Sequence, residues 1–468
     1  MKDNIVIKGI SETHWMGDDS ASGSYSVLHD PKTPWVALIV LSVLFYTLWH
    51  IPLFLLQETY HSTNEYLEES VRDGTPRRLV GFTIVGLLGI VGLLRQGQHS
   101  FRINRALGWF ALFYVAWASL SVVWADDVLL TFRRVVILWM LSLGAAAVGK
   151  HASPRDIILW LFMTTAVYML TGLGCEIYYG KFLPLTSDYR FSGSLHPNHQ
   201  GINCAIVVLT GFAAGRSVKR GGAFFIVFAL MAIVFLVLTG SRTAFASGMA
   251  GLLVYLSVVW SRSSKIALFF VVSTGFCLLL LLVGDKLFSA IWEGLLLGRE
   301  SSSTSSLTGR IPLWIDCLDH AKGRLLIGYG FTSFFNPARI AKVSASVEWA
   351  VGELHSAYLD LLLGVGILGP IAFVAIMVLG IKDSIERFKQ LSSPAYAGFA
   401  AILVFASLNG VLEITVVSNG MLSFVVMILI AHVGFSVPQD RHRRIWSRPG
   451  EVCPQEESLA GKTPCVRA

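Results

Sequence analysis

Twelve apolar runs make up about half of the 468-residue chain, near 35–56, 79–94, 106–124, 128–149, 156–175, 201–215, 223–240, 243–260, 265–283, 357–380, 396–417 and 419–435. A bilayer core of about 30 Å is crossed by about 20 helical residues at 1.5 Å each, and most of these runs approach that length. The charged fraction is 14% and the apolar fraction 54%, against roughly 25% charged in a soluble domain. A soluble globular enzyme is therefore excluded, and the chain is expected to fold as an all-α integral membrane protein. The first run follows polar residues and ends in Ile51-Pro52-Leu53 without a small-residue cleavage pattern, so the N-terminus is expected to be kept.

Orientation follows from the lysine and arginine bias of short loops, which resist translocation. One set of alternate loops carries Arg95, Arg102, Arg105, Lys150, Arg155, Arg216, Lys219, Arg220, Arg262, Lys265, Lys382, Arg387 and Lys389, with Arg441, Arg443, Arg444 and Arg448 in the tail. That set and both termini are expected in the cytoplasm. The other set holds the acidic 57–78 loop, Asp126, Asp127, residues 176–200 and the long segment from Asp285 to Leu354. The +7 formal charge is thus a topology signal, and no nucleic-acid partner is expected.

The expected organisation is a cytoplasmic segment 1–34, nine membrane helices over 35–283, an outer segment 284–354, three more helices over 355–435 and a disordered cytoplasmic tail 436–468. Within the outer segment, 285–298 and 310–322 carry apolar residues at helical spacing on either side of a serine-rich hinge, 301–306. Pro312 suits the first turn of the second helix, where its missing amide costs nothing. No internal repeat of the transporter kind is present.

Cofactor chemistry finds little support. There is no CxxC, no Walker A lysine loop and no GxGxxG at a strand–helix junction. His196 and His199 stand three apart, but no carboxylate or cysteine completes a cluster beside them, so no metal is expected. Only Cys175 and Cys317 fall on the outer side, and nothing in the sequence requires them to pair.

The chemistry-bearing residues are ionisable groups at the outer mouth of the helices, where a charge is costly unless paired, snorkelling or functional. Arg242 sits in the tight turn Leu238-Thr-Gly-Ser-Arg242, on the side where a topology marker would oppose the positive-inside rule. Arg310 precedes Ile311-Pro312-Leu313-Trp314 at the expected start of the outer helix, where free amides and arginine together suit a phosphate. Arg190 lies in Arg190-Phe-Ser-Gly-Ser-Leu-His196-Pro-Asn198, a broken approach to a helix. His355 opens His355-Ser-Ala-Tyr358-Leu-Asp360, where a first helical turn favours the neutral ring that a general base needs. A lone interfacial histidine also serves structural roles. Glu413, Arg133 and Arg134 interrupt apolar runs near the outer face, where an unpaired charge costs about 2.5–3.5 kcal/mol on insertion scales, so Glu413 is expected to neutralise an arginine.

In their order and spacing, Arg190-Phe-Ser-Gly with His196-Pro-Asn198, Thr239-Gly-Ser-Arg242, Thr308-Gly-Arg310 with Trp314, Gly328-Tyr-Gly330, and His355-Ser-Ala-Tyr358 with Gly366-Ile-Leu-Gly369 resemble the O-antigen ligase/polymerase family of surface-polysaccharide assembly. The resemblance covers residues 185–370; the flanking helices match only as hydropathy. It implies a GT-C-type glycosyltransferase of about twelve helices with a large periplasmic helical segment between helices 9 and 10, using neither metal nor other cofactor. It further implies transfer of a glycan from an undecaprenyl diphosphate-linked donor to an acceptor glycan or lipid-linked glycan at the outer leaflet of the bacterial inner membrane. By motif, His355 becomes the catalytic base, while Arg242 and Arg310, with Arg190, hold the diphosphate. His196, Asn198, Tyr358, Glu413, Arg133 and Arg134 would support them. Membrane lipids, and a chain-length regulator or flippase, are the implied partners. The wording around Arg310 and His355 is closer to exopolysaccharide-type polymerases than to ligases acting on lipid A-core. Protein O-oligosaccharyltransferases, lipid-linked sugar transporters and non-catalytic assembly scaffolds stay open as alternatives.

Overall fold

The apolar runs fold as helices whose ends carry local start signals. The computed structural model describes residues 39–40, 42–44, 47, 76–97, 99–103, 105–186, 189–218, 220–260, 306–347 and 351–438. Most of the run 35–56, the acidic loop up to residue 75, the run 265–283, the 285–298 helix and the tail beyond 438 lie outside the described residues. Helices α1 (Pro76–Leu94), α2 (Ala106–Leu120), α3 (Val128–His151), α4 (Pro154–Tyr178), α5 (Pro197–Ser217), α6 (Gly222–Leu238) and α7 (Arg242–Val259) come first. After the undescribed stretch follow α8 (Ser306–Ala321), α9 (Pro337–Val347), α10 (Ala357–Val365), α11 (Leu368–Leu391), α12 (Pro394–Asn409) and α13 (Met421–Phe435). Asp127 caps α3 through Leu130 N–H, and Ser153 with Asp156 forms a capping box on α4. Pro154, Pro197 and Pro394 each open a helix where no amide partner is missed. Six described helices are long and apolar enough to cross a membrane, and three more apolar helices are shorter.

Helices α1 to α7, α12 and α13, with α11, run between two groups of connections, while α8 and α9 lie within one of them. One group is stitched by Lys150 Nζ to the carbonyls of Leu93 and Arg95, by Arg105 to Asp383 and Glu386, and by Arg387 to the carbonyls of Val433 and Ser436. A short antiparallel ladder, His99–Phe101 with Ser436–Pro438, closes that end. The other group joins residues 125–127, 179–186, 189–196, 239–241, 306–347, 351–356 and 410–420, so the alternation read from charge has a structural counterpart. A 24-residue helix such as α3 separates the two ends by about 36 Å at 1.5 Å per residue. The centre is filled by α5 and α12, buried nearly all round. Small residues set the spacing there: a Cβ on Gly251 of α7 would stand 2.8 Å from the Ala401 carbonyl of α12.

Two expectations need correction. The run 357–380 is not one helix but two, α10 and α11, and the second continues to Leu391. The break lies at Gly366, whose φ of +73° only glycine adopts freely. The carbonyls and amides released there are taken up by the Gly328-Tyr-Gly330 segment: Tyr329 N–H donates to Leu363, Gly330 N–H to Gly364, and Ile367 N–H to Leu325. Second, the helix expected over 310–322 is already formed at Ser306, the first described residue of that stretch. Pro312 therefore lies inside α8 and not in its first turn, and Arg310 is a full turn away from the helix start. Cys175 and Cys317 are both free thiols.

Candidate active site

The turn between α6 and α7 organises one side of the site. Gly240, at φ +61°, lets Thr239-Gly-Ser241 fold back beneath Arg190, whose Nε would lie only 3.1 Å from a Cβ at that glycine. Arg190 Nε donates to the Thr239 carbonyl at 2.9 Å and Nη2 to Asn198 Oδ1 at 3.0 Å. Phe191 N–H adds a bond to the Leu238 carbonyl. Arg190 is thus a strut between the 190s loop and the Thr239–Arg242 turn. Arg242 is the first residue of α7 and is half-buried beside it.

From Asn198 the network crosses to the connection between α12 and α13. Asn198 Nδ2 donates to Glu413 Oε1 at 2.9 Å, and Arg310 Nη2 reaches the same oxygen at 3.4 Å, while Arg310 Nη1 holds the Leu412 carbonyl. The arginine that neutralises Glu413 is therefore Arg310. Glu413 is 3% exposed, and that burial pushes its carboxyl above the usual range, opposed chiefly by Arg310 and then by His355.

His355 closes the cluster. It lies two residues before the first residue of α10, not in a helical turn, and its backbone is left-handed at φ +50°. Its Nδ1 stands 3.1 Å from Glu353 Oε1. Burial opposes ionisation of Glu353, but the contact with His355, helped by His199 and His196, outweighs it and holds the carboxyl below its usual range. Glu353 was not singled out in the sequence. It stands two residues from the key histidine, but an i, i+2 pair in a loop meets only if the backbone turns, and the left-handed His355 supplies that turn.

The remaining sequence candidates divide. His196 caps α5, its Nδ1 accepting from Asn198 N–H at 3.2 Å. Tyr358 donates to the Ser407 carbonyl and so ties α10 to α12. Arg134 donates to the Thr332 carbonyl, and Arg133 sits half-buried beside it on α3. Among the described residues, Glu353, His355 and Glu413 also place one potential ligand atom each within 4.8 Å of one another, a set different from His196 and His199. Glu413 Oε1 is shared by Asn198 and Arg310, so the set already functions as an ion-pair cluster.

Two polar chambers flank Glu353. One, about 270 Å³, is lined by Arg78, Tyr168, His199 and Asn203; the other, about 190 Å³, by Arg134, Thr332 and Asp360; Glu353, Ile414, Ser418 and Asn419 border both. On the lipid-facing side a separate apolar cleft of about 220 Å³ runs from Phe101 and Phe435 at the far end of the bundle to Val416 and Val417, three residues from Glu413.

The fold and this cluster define a multi-pass, all-α membrane protein with arginines, a histidine and carboxylates gathered at one end of its bundle. Residues 224–374 match the family model described as O-antigen ligase. Over that region the chain is similar to O-antigen ligases, which supports the resemblance read from the motifs. No curated protein matches the chain. The matched region contains Arg242, Arg310, Glu353 and His355; Arg190, Asn198 and Glu413 lie outside it and are brought to it by the fold.

Proposed function

We propose that this protein is a glycosyltransferase that moves a glycan from a polyprenyl diphosphate-linked donor, undecaprenyl diphosphate in bacteria, to a sugar hydroxyl, with its site facing the periplasm from the inner membrane. The observation that carries the reading is the continuous network Arg190–Asn198–Glu413–Arg310 with the His355–Glu353 pair beside it. The Glu353 carboxylate, 3.1 Å from His355 Nδ1, favours a proton on that nitrogen, so Nε2 is the atom assigned the role of base. Nε2 takes the acceptor hydroxyl proton as that oxygen attacks the anomeric carbon, and the bond from that carbon to the diphosphate oxygen breaks with inversion. The electron pair leaves on the phosphate, where Arg242 and Arg310 stabilise the growing charge with planar donor forks. Arg190 acts on the donor by holding the turn that carries Arg242. The apolar cleft ending at Val416 suits the donor's lipid tail.

Polymerisation of repeat units is favoured over ligation to lipid A-core by the wording of the Arg310 and His355 segments; the glycan that accumulates when the protein is absent discriminates the two. The central experiment is transfer from a polyprenyl diphosphate-linked oligosaccharide by the purified protein. Replacing His355 with alanine should lower turnover by about 10²–10⁴-fold, the usual worth of a general base. Arg242→Lys and Arg310→Lys should both be impaired, since a point charge does not reproduce the fork, and EDTA should leave the rate unchanged. His196→Ala is the control and should retain most activity. Wild-type turnover in His355→Ala would sink the mechanism.

A further inference from the structure

The smaller chamber holds a buried polar atom that the protein does not satisfy. Asp360 is 2% exposed and lines the cavity, and its Oδ2 has no hydrogen-bond partner among the described residues. A buried carboxylate oxygen without a donor is costly and uncommon, so its presence against an open cavity calls for a ligand that supplies one. Around it stand Arg134, Thr332, Glu353, Ser418 and Asn419. These residue types include both hydrogen-bond donors and acceptors, which the several hydroxyls of one ring require.

Charge selects the class of ligand. One arginine faces two carboxyl groups, Asp360 and Glu353, so this chamber has no surplus positive charge to hold the diphosphate assigned to the Arg242–Arg310 side. Size narrows it further: drug-sized ligands fill about 300–1,000 Å³, whereas this cavity of about 190 Å³ suits a single small ring. Position completes the argument, because Glu353 forms part of the cavity wall and touches His355.

From these three observations we infer that the Asp360 chamber is a binding site for one neutral sugar ring, the acceptor sugar, with Asp360 Oδ2 accepting a ring hydroxyl. Its role as an acceptor site rests on the transfer reading above; the binding of the sugar does not. Held there, the ring presents a further hydroxyl past Glu353 toward His355. The adjoining chamber, across Glu353 and Asn419, continues the path for the next residue of an acceptor chain.

The test is saturation-transfer NMR on the purified full chain with free glucose and galactose as probes and glucuronate as the acidic comparator. The wild type should give a neutral-sugar signal, glucuronate should give a weaker one, and Asp360→Ala should weaken neutral-sugar affinity about 10-fold, the usual cost of losing a hydrogen bond. Asn419→Ala, at a neutral side chain of the same cavity, should weaken it as well and serves if Asp360→Ala fails to elute as a folded species. Absence of any sugar signal from the wild type would mean that the chamber holds water only, and overturns the inference. Unchanged affinity in the folded variants, or glucuronate binding as strongly as glucose, also overturns it. Sugar binding that responds to Asp360, in a protein that transfers nothing, would defeat the transfer reading and leave this site standing.

Discussion

His355 holds a left-handed backbone, φ +50°, that costs a side-chain-bearing residue roughly 1–2 kcal/mol. The strain is tolerated because it turns the imidazole onto Glu353. His355→Gly should therefore be more stable than His355→Ala by about 1 kcal/mol, although both lose the base. Thermal unfolding of the two variants decides it, and an alanine variant at least as stable as the glycine one removes the strain. Glu353 offers a second measurement. Its carboxyl is held below the ordinary range in the folded protein by His355. Its contribution to stability is then complete above the unfolded value near ~4.3 and is lost as pH falls through the lower folded value. Wild type should exceed Glu353→Gln in melting temperature by a constant margin above about pH 5, and the margin should shrink on acidification below about pH 4. A margin that stays flat with pH would show that His355 does not stabilise the carboxylate. At this scale the sequence made His355, Arg242 and Arg310 legible, because ionisable groups beside apolar runs stand out. Glu353 did not, because its value depends on a backbone angle.

Among the elements, the break between α10 and α11 carries the most structure. A Cβ at Gly366 would lie 2.0 Å from the Leu326 carbonyl at a φ that disfavours any side chain. Gly366→Ala should destabilise by about 2–4 kcal/mol, combining left-handed strain with overpacking. Gly174→Ala on α4, with nothing within 4 Å of its Cβ, should instead be neutral or stabilising by up to about 1 kcal/mol. Comparable melting temperatures for the two variants would show that the break is not held by Gly366. The apolar run 357–380 reads as one helix because hydropathy does not register a break whose freed amides are satisfied. The segment from Leu325 to Gly330, more than thirty residues upstream, supplies the partners that stabilise it.

For the whole molecule, the two groups of connections make a topology experiment decisive. Lys322 is exposed beside the site end, and Lys389 is exposed at the opposite end. In a background with the six natural cysteines replaced by alanine, a cysteine at 322 should react with a membrane-impermeant reagent on intact cells. One at 389 should react only after lysis. The reverse pattern would place the site in the cytoplasm and end the periplasmic mechanism.

Helix-forming runs, the alternation of basic and acidic connections and the residue types at the mouth of the bundle were determined by the sequence itself. Hydropathy and charge are local sums, and a bilayer forces each apolar run to satisfy its own backbone. The assembly of the site belongs to the tertiary structure. Glu413 meets Asn198 across 215 positions and Arg310 across 103, and no local pattern encodes which charge meets which. The same holds for Arg310, whose placement a turn inside α8 set it against Glu413 and not at a helix terminus. Pairing buried charges is a property of helices packed side by side, so it was settled only when the bundle closed.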